Sequence, residues 1–185
     1  MIIVIVGMPC AGKTTALSVC KELGARAVAS GDIVRDEIAV RGLPYNERTD
    51  REVAGIFHEA GGERVLVERV LERAGGNPKK DLIVIDGLRS AVQLKELKRM
   101  TGVKPVVIAI EASFEQRLKR CVRRHRFAHE DKAYLTSRDK VEGQRGLAEL
   151  LAKADYKFDT EGMNEVTFKR EFKAFVEKMV LKGKM

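Results

Sequence analysis

One eight-residue segment constrains this chain more than any other: Gly7 to Thr14 reads GMPCAGKT, which is a G-x-x-x-x-G-K-T loop. The loop follows the apolar run Ile2 to Val6, and the residues after it carry apolar side chains at helical spacing. Glycine is needed at both ends of the loop because the chain must fold back and aim successive N–H groups at an anion. The positive end of the following helix points to the same place. The sequence therefore predicts a binding loop for the phosphates of a nucleoside triphosphate.

Two side chains of this loop have specific chemical roles in such a site. Lys13 supplies a positive charge between the β- and γ-phosphates, and the Thr14 hydroxyl is the expected ligand for Mg²⁺. We therefore expect ATP with Mg²⁺ as the bound nucleotide. The predicted ATP-binding residues of the loop are Gly7, Pro9, Cys10, Ala11, Gly12, Lys13, Thr14 and Thr15.

The size and composition of the chain favour one globular domain. Its 185 residues are enough to bury a core, and 44% of them are hydrophobic while 34% are charged. The longest apolar runs are only as long as strands, far below the roughly 20 residues that a bilayer requires. No signal-peptide pattern surrounds the first apolar run, and Cys10, Cys20 and Cys121 form no C-x-x-C pair. These features predict a cytoplasmic protein with reduced thiols and no membrane association.

The net charge of +8 raises the alternative of a nucleic-acid binder. However, aromatic residues are only 5% of the chain, no RNA-binding signature is present, and many arginines fall in a few short segments. These features argue against nucleic acid as a partner, and small-molecule nucleotides are the expected partners. His58, His125 and His129 show no metal-binding spacing with cysteines and are expected at the surface.

The order of apolar and helical patterns predicts the fold class. Strands alternate with helices, and each long strand is apolar throughout, as in a parallel sheet that is covered on both faces by right-handed crossovers. We therefore predict an α/β fold, a P-loop three-layer α/β/α sandwich with a five-stranded parallel sheet. The predicted strands are Ile2 to Val6, Ala25 to Ala29, Leu82 to Ile85, Pro105 to Ile110, and Tyr156 to Phe158.

About fifty residues lie between the second and third predicted strands, which is long for one crossover. This segment should hold a helical insertion. One helix is predicted from Ile33 to near Gly42, a second after Thr49-Asp50, and a third from about Gly62 to Ala74. In open parallel sheets, ligands bind at the carboxyl ends of the strands, and an insertion above that edge can cover a second substrate.

Three further blocks resemble the nucleoside monophosphate kinases, a family that includes the adenylate kinases. The segment from Ala29 to Arg35 is similar to the one that holds the acceptor nucleotide, and Asp86 to Gln93 is similar to the end of the family's third strand. The segment from Arg120 to Arg138 is similar to a short lid. The chain lacks the family's usual proline before Arg89, so Asp86 and Arg89 stand one residue closer than in that family.

The resemblance implies an organisation and a set of site residues. It implies one kinase domain with a core of residues 1–31, 79–118 and 141–185, an acceptor-binding insertion at 32–78 and a lid at about 119–140. Arg120 and Arg126 would join the ATP site, and Asp32 and Asp86 would hold Mg²⁺ through water. The implied catalytic residues are Lys13, Asp32, Arg124 and Arg138, and the implied acceptor-binding residues are Ser30, Gly31, Arg35, Gly87, Arg89 and Gln93.

A second resemblance concerns the end of the chain. Asp155-Tyr156 and Gly162 are similar to the last strand and loop of the dephospho-coenzyme A kinases, and Asp32 matches an acidic residue near that family's acceptor hydroxyl. Over nearly its full length, the chain resembles an archaeal P-loop kinase family related to both groups. The residues that carry this match are Arg138-Asp139, Gly146-Leu147, Ala154-Asp155-Tyr156 and Glu161-Gly162.

These patterns favour an ATP- and Mg²⁺-dependent phosphotransferase whose acceptor is a nucleoside monophosphate such as AMP. Phosphoryl transfer needs charge neutralisation in a dry, positioned site, for which arginines are suited. One alternative is a dephospho-coenzyme A kinase, in which Asp32 would accept the hydroxyl proton. Another is an ATP-controlled switch or assembly factor that binds RNA or protein. The sequence leaves the oligomeric state open.

Overall fold

The computed structural model describes residues 1–59, 61–124, 126–127 and 129–182. In these residues, five parallel strands form one sheet in the order β2-β3-β1-β4-β5. Each predicted strand is present, with ends within one residue of the prediction, and the predicted fold class is confirmed. The strands are β1 (Ile2–Val6), β2 (Arg26–Ala29), β3 (Ile83–Asp86), β4 (Val106–Glu111) and β5 (Tyr156–Asp159).

Helices connect all of these strands. The described helices are α1 (Lys13–Glu22), α2 (Ser30–Val40), α3 (Glu47–Ile56), α4 (Gly62–Ala74), α5 (Ala91–Thr101), α6 (Phe114–Arg124), α7 (Lys132–Gln144), α8 (Leu147–Ala152) and α9 (Glu165–Lys182). Among them, none is long and apolar enough to cross a membrane.

Strand β1 is buried along its whole length because it lies at the centre of the sheet and both faces are covered. Ile2, Val4 and Val6 belong to an apolar cluster that includes residues of α4, α5 and α8. Ile3 and Ile5 point to the other face, into a cluster formed with α1 and α9. The alternation of a strand therefore divides the core into two layers, one on each side of the sheet.

The helical insertion between β2 and β3 begins and turns at different residues from those predicted. Helix α2 starts at Ser30, three residues before the predicted Ile33. Helix α3 starts at Glu47, because Asn46 and Thr49 cap it reciprocally: Asn46 Oδ1 accepts from Thr49 N at 3.0 Å, and Thr49 Oγ1 accepts from Asn46 N at 3.1 Å. Thr49 thus lies inside the first turn rather than before it. Helix α4 has the predicted bounds.

The predicted lid, 119–140, includes the end of α6 and the first nine residues of α7. The division of the chain into core, insertion and lid stays a prediction. His125 lies outside the described residues.

Candidate active site

The loop between β1 and α1 has the geometry of a phosphate-binding turn. Gly12 precedes α1 and has φ 112°, and a Cβ at this position would lie 2.4 Å from Cε1 of Phe168. A side chain is therefore excluded both by backbone conformation and by space. Lys13 Nζ donates to the carbonyl oxygens of Gly7 at 2.8 Å and Met8 at 3.0 Å. Burial lowers the pKa of Lys13, while the nearby Asp86 carboxylate raises it.

The end of β3 brings an acidic side chain next to this loop, because Ile5 of β1 and Asp86 of β3 are partners in the parallel register. Burial raises the pKa of Asp86, and Lys13 lowers it. Its Oδ1 atom is buried and accepts no hydrogen bond from the described residues. The Asp86 carboxylate and the Thr14 hydroxyl are oxygen ligands suited to Mg²⁺ and its water shell. The residues present therefore fit the metal that the loop implies.

A cleft of about 290 Å³ lies over the loop. Its lining is strongly basic: among the described residues, eight cationic side chains and three carboxylates border it. The cations come from α1, α2, the loop after β3, and the predicted lid. They are Lys13, Arg35, Arg89, Arg120, Arg123, Arg124, Arg126 and Arg138.

The predicted acceptor side is held together by a bond between two strand ends. Ser30 Oγ donates to the carbonyl oxygen of Gly87 at 2.9 Å, and Gly87 has φ 95°, with Ser30 Oγ 2.4 Å from where its Cβ would be. Only glycine fits there, and Gly87 borders the cleft together with Arg35 and Arg89.

A smaller cavity of about 40 Å³ adjoins the cleft between the insertion and the lid. Residues of α2, α3 and α4 form its apolar wall, and polar side chains line the rest. Its polar lining includes Asp50, His58, Arg89, Arg126 and Arg138. Burial, together with the positive charges of Arg145 and Arg89, lowers the pKa of His58 to about 4. The imidazole is therefore neutral near pH 7.

Arginines of the predicted lid bind both the loop and the insertion. Arg120 Nη1 donates to Ala11 O and to Thr160 Oγ1, each at 2.8 Å. Arg126 contacts Tyr45, with its guanidinium carbon 5.5 Å from the ring centroid, and forms an ion pair with Asp50 at 3.0 Å. The lid thus contacts the insertion in this conformation.

Most of the predicted site residues meet at the cleft. Three do not border it: Ala11, which is buried and whose carbonyl binds Arg120, and the side chains of Asp32 and Gln93. Asp32 pairs with Arg35. Gln93 is fully buried, and its Oε1 accepts from the backbone N–H of Arg89 at 2.6 Å. The roles predicted for Asp32 and Gln93 stay predictions. The predicted residues that border the cleft are Gly7, Pro9, Cys10, Gly12, Lys13, Thr14, Thr15, Ser30, Gly31, Arg35, Asp86, Gly87, Arg89, Arg120, Arg124, Arg126 and Arg138.

Sequence reasoning missed other residues of the site. Arg123, Tyr134, Glu142 and Phe168 border the cleft, and His58 lies at the smaller cavity rather than at the open surface. The four-residue spacing of Arg138 and Glu142 on one helix was a usable signal for their pairing. No local pattern marks His58.

The chain is similar over nearly its whole length to archaeal proteins. Residues 6–136 match the family model described as an AAA domain, AAA_17. The UPF0200 protein of Saccharolobus solfataricus is 30% identical over 183 residues, which cover 98% of this chain and 95% of that protein. The UPF0200 protein of Pyrococcus horikoshii is 30% identical over 98% of this chain and 97% of its own. The UPF0200/UPF0201 protein of Archaeoglobus fulgidus is 33% identical over 89% of this chain and 51% of its own.

Two solved structures share the fold. The shikimate kinase from Acinetobacter baumannii, in complex with shikimate, gives a TM-score of 0.63 at 18% identity and covers 100% of this chain and 94% of that one. The shikimate kinase from Aquifex aeolicus gives a TM-score of 0.58 at 17% identity, covering 98% and 99%. At these identities the similarity establishes the fold and leaves the substrate open.

Proposed function

This chain belongs to the AAA domain family AAA_17 and to the UPF0200 family and is a P-loop nucleotide kinase-like protein, and on that premise we propose that it transfers the γ-phosphoryl of ATP to a nucleoside monophosphate such as AMP. The observation that carries this proposal is the convergence of cations from separate parts of the chain on one cleft beside the phosphate loop. A loop that only holds a triphosphate needs the lysine and the backbone N–H groups. The additional arginines suit a second anionic substrate and the charge of a transferring phosphoryl group.

On the donor side, the loop would receive the phosphates of ATP. Lys13 would exchange its contacts with the Gly7 and Met8 carbonyls for phosphate oxygens. Thr14 and Asp86 would hold Mg²⁺, directly and through water, and the ion would neutralise charge on the β- and γ-phosphate oxygens. Arg120 would lie at the donor nucleotide. It is already close to the phosphate loop, because its guanidinium group donates a hydrogen bond to the carbonyl oxygen of Ala11.

On the acceptor side, Arg35 and Arg89 would bind the phosphate of the monophosphate, and Arg124, Arg126 and Arg138 would close over the transferring group. Arg126 contacts Tyr45 and Asp50 in this conformation, so the predicted lid reaches the insertion. Closure of the lid over both bound substrates would exclude water. A phosphate acceptor needs no strong base. The pairing of Asp32 with Arg35 makes this carboxylate a weaker candidate for the base that a hydroxyl acceptor would require.

The smaller cavity bears on the acceptor's base. At about 40 Å³ it is too small for a purine in this conformation. Binding of a nucleoside monophosphate would therefore require α3 to move away from the lid, which means releasing Arg126 from Tyr45. In this proposal, binding of the acceptor is coupled to movement of α3 relative to the lid.

The proposal is tested by incubating the protein with Mg²⁺, ATP labelled at the γ-phosphate, and single acceptors. The acceptor panel contains AMP, the other nucleoside monophosphates, dephospho-coenzyme A and shikimate. We expect label in a nucleoside diphosphate, with AMP the best acceptor. Label in dephospho-coenzyme A or in shikimate would replace the proposed acceptor, and release of free phosphate with every acceptor unlabelled would contradict the transferase function.

A further inference from the structure

Glu142 of α7 is the meeting point of arginines from two parts of the candidate site. It is 1% exposed and borders the cleft. Its Oε2 lies 3.0 Å from Arg89 Nε, in the loop after β3, and its Oε1 lies 3.3 Å from Arg138 Nη2, in the predicted lid. A third arginine, Arg145, lies 3.9 Å from Oε1 through its Nη1 atom. One carboxylate thus connects the acceptor side and the lid.

The environment keeps this carboxylate charged. Burial would raise the pKa of Glu142, but Arg89, Arg138 and Arg145 lower it, and the net pKa lies below the ordinary value. A buried anion of this kind is stable because several cations surround it. The negative charge of Glu142, in turn, offsets the electrostatic repulsion between the arginines that surround it.

The charges around Glu142 leave an excess of positive charge. Asp50 is the second carboxylate of the group, at 3.0 Å from Arg126 and 3.8 Å from Arg138. Within the described residues, this group therefore has four guanidinium groups for two carboxylates. A phosphate monoester near neutral pH carries almost two negative charges and would balance the group.

We propose that Glu142 is a positioning residue for the acceptor side of the cleft: its carboxylate holds Arg89 and Arg138 together so that both guanidinium groups face the acceptor's phosphate. This inference rests on the proposed phosphotransferase function, whose acceptor supplies that phosphate. Arg89 and Arg138 both border the cleft and the smaller cavity, which is where such a group would be bound. Glu142 would act through these arginines and would not touch the reacting atoms.

The kinetic test replaces Glu142 by glutamine, which has the same shape but no charge. The amide NH₂ group would face Arg89 Nε, donor against donor, and the arginines would repel each other. For Glu142→Gln we expect kcat/KM for the acceptor to fall about tenfold or more, with the KM for ATP nearly unchanged. Glu142→Asp keeps the charge and should lie between the wild type and Glu142→Gln. Glu149→Gln, at an exposed position of α8, is the matched control and should behave as the wild type.

A labelling experiment tests the positioning role without relying on turnover. Phenylglyoxal modifies accessible guanidinium groups, and mass spectrometry reports the rate at each arginine. In the wild type, Arg89 and Arg138 should react more slowly than Arg48, whose side chain is 85% exposed. In Glu142→Gln both should react faster than in the wild type, while Arg48 is unchanged. If the wild type phosphorylates no acceptor, the proposed function fails and the labelling still decides whether Glu142 holds these arginines.

Three results would overturn the inference. The first is wild-type acceptor kinetics and wild-type labelling in Glu142→Gln. The second is an equal loss in Glu142→Asp and Glu142→Gln, which would show that shape and not charge matters. The third is a parallel change in the ATP and acceptor KM values, which would indicate a general structural defect. If Glu142→Gln does not fold, the double variant Glu142→Gln/Arg145→Gln removes one charge of each sign and takes its place, with Arg145→Gln alone as its control.

Discussion

The two halves of the candidate site are built in different ways. The proposed ATP-binding half is based on one continuous segment, residues 7–15, whose backbone conformation and helix start form the predicted phosphate-binding loop. Asp86 and Arg120 join this segment from other parts of the chain. The proposed acceptor half is assembled from side chains far apart in sequence, from Arg35 to Glu142, and ion pairs connect the insertion, the loop after β3 and α7 there. From this comparison we expect that ATP binding is encoded mainly within one segment, whereas acceptor choice depends on tertiary contacts.

The largest expected effect is the loss of the loop lysine. In Lys13→Met, the charge that neutralises the β- and γ-phosphates is gone, and phosphoryl transfer at saturating substrate should fall about 10³-fold. The measurement is the initial rate with labelled ATP and the best acceptor. Lys21→Met, at an exposed position of the same helix, is the matched control and should retain wild-type turnover. Equal activity of Lys13→Met and Lys21→Met would contradict a phosphate site at residues 7–15.

The second prediction tests whether ATP binding by residues 7–15 is independent of the helices that pack on this loop. Arg117 is buried on α6, forms two bonds with Asp139 of α7 at 2.8 and 2.6 Å, and donates to the Pro9 carbonyl of the loop at 3.2 Å. In Arg117→Met, Asp139 loses its partner and the loop loses a support, so the free energy of unfolding should fall by about 3 kcal/mol. Urea unfolding measures it.

The control for this variant is Arg48→Met, which removes an exposed arginine paired with Glu52 and should change stability by less than about 0.5 kcal/mol. If Arg117→Met is destabilised but binds ATP with wild-type affinity, the loop is as independent as its sequence suggests. If ATP affinity also falls, the ATP-binding loop depends on α6 and α7. The ATP-binding and acceptor halves would then differ less in how they are built.

The contrast also explains what the sequence could predict. The loop and the strands could be predicted because each is one continuous pattern. The position of Gly12 against Phe168 follows from the packing of α9 on the sheet. Helix α3 starts at Glu47, four residues before the predicted start at Arg51, because Asn46, and not Thr49 or Asp50, is the cap. The full burial of Gln93 could not be predicted from spacing, since it depends on the tertiary packing around α5. Its Oε1 accepts from the Arg89 backbone N–H, and its Nε2 has no hydrogen-bond partner among the described residues.

The third prediction concerns pH and the acceptor half. Burial, with Arg145 and Arg89, lowers the native pKa of His58 to about 4 from 6.5, while Glu142 opposes this shift. The unfolded state therefore binds a proton that the native state rejects, so His58 disfavours folding as pH falls from about 6.5 to about 4. In His58→Asn this loss should be smaller by on the order of 2 kcal/mol, after allowance for partial exposure.

The measurement is urea unfolding of His58→Asn and the wild type at a series of pH values from about 7 down to about 4. His129→Asn, which removes an exposed imidazole, is the matched control. Identical pH dependence in His58→Asn and the wild type would show that neither burial nor the nearby arginines lower the pKa of this imidazole.

The smallest expected effect comes from one oxygen atom at the contact between the lid and the insertion. Tyr45 Oη accepts from Arg126 Nε at 2.7 Å, and its ring also lies near Arg126 and Phe127. Tyr45→Phe keeps the ring contacts and removes the hydrogen bond, so the contact should weaken by about 1 kcal/mol, a limited change because Tyr45 is partly exposed. Amide hydrogen exchange in α3 should be faster in Tyr45→Phe. The control Tyr156→Phe, whose ring packs on Phe175, should leave the exchange rate in α3 unchanged.

Tyr45→Phe should also change ligand binding. Because binding of the proposed acceptor requires the contact between Tyr45 and Arg126 to open, this variant should bind AMP slightly more tightly and ATP with unchanged affinity. A fall in AMP affinity would mean instead that the contact persists when the acceptor is bound and that the acceptor half closes on its ligand without α3 moving away.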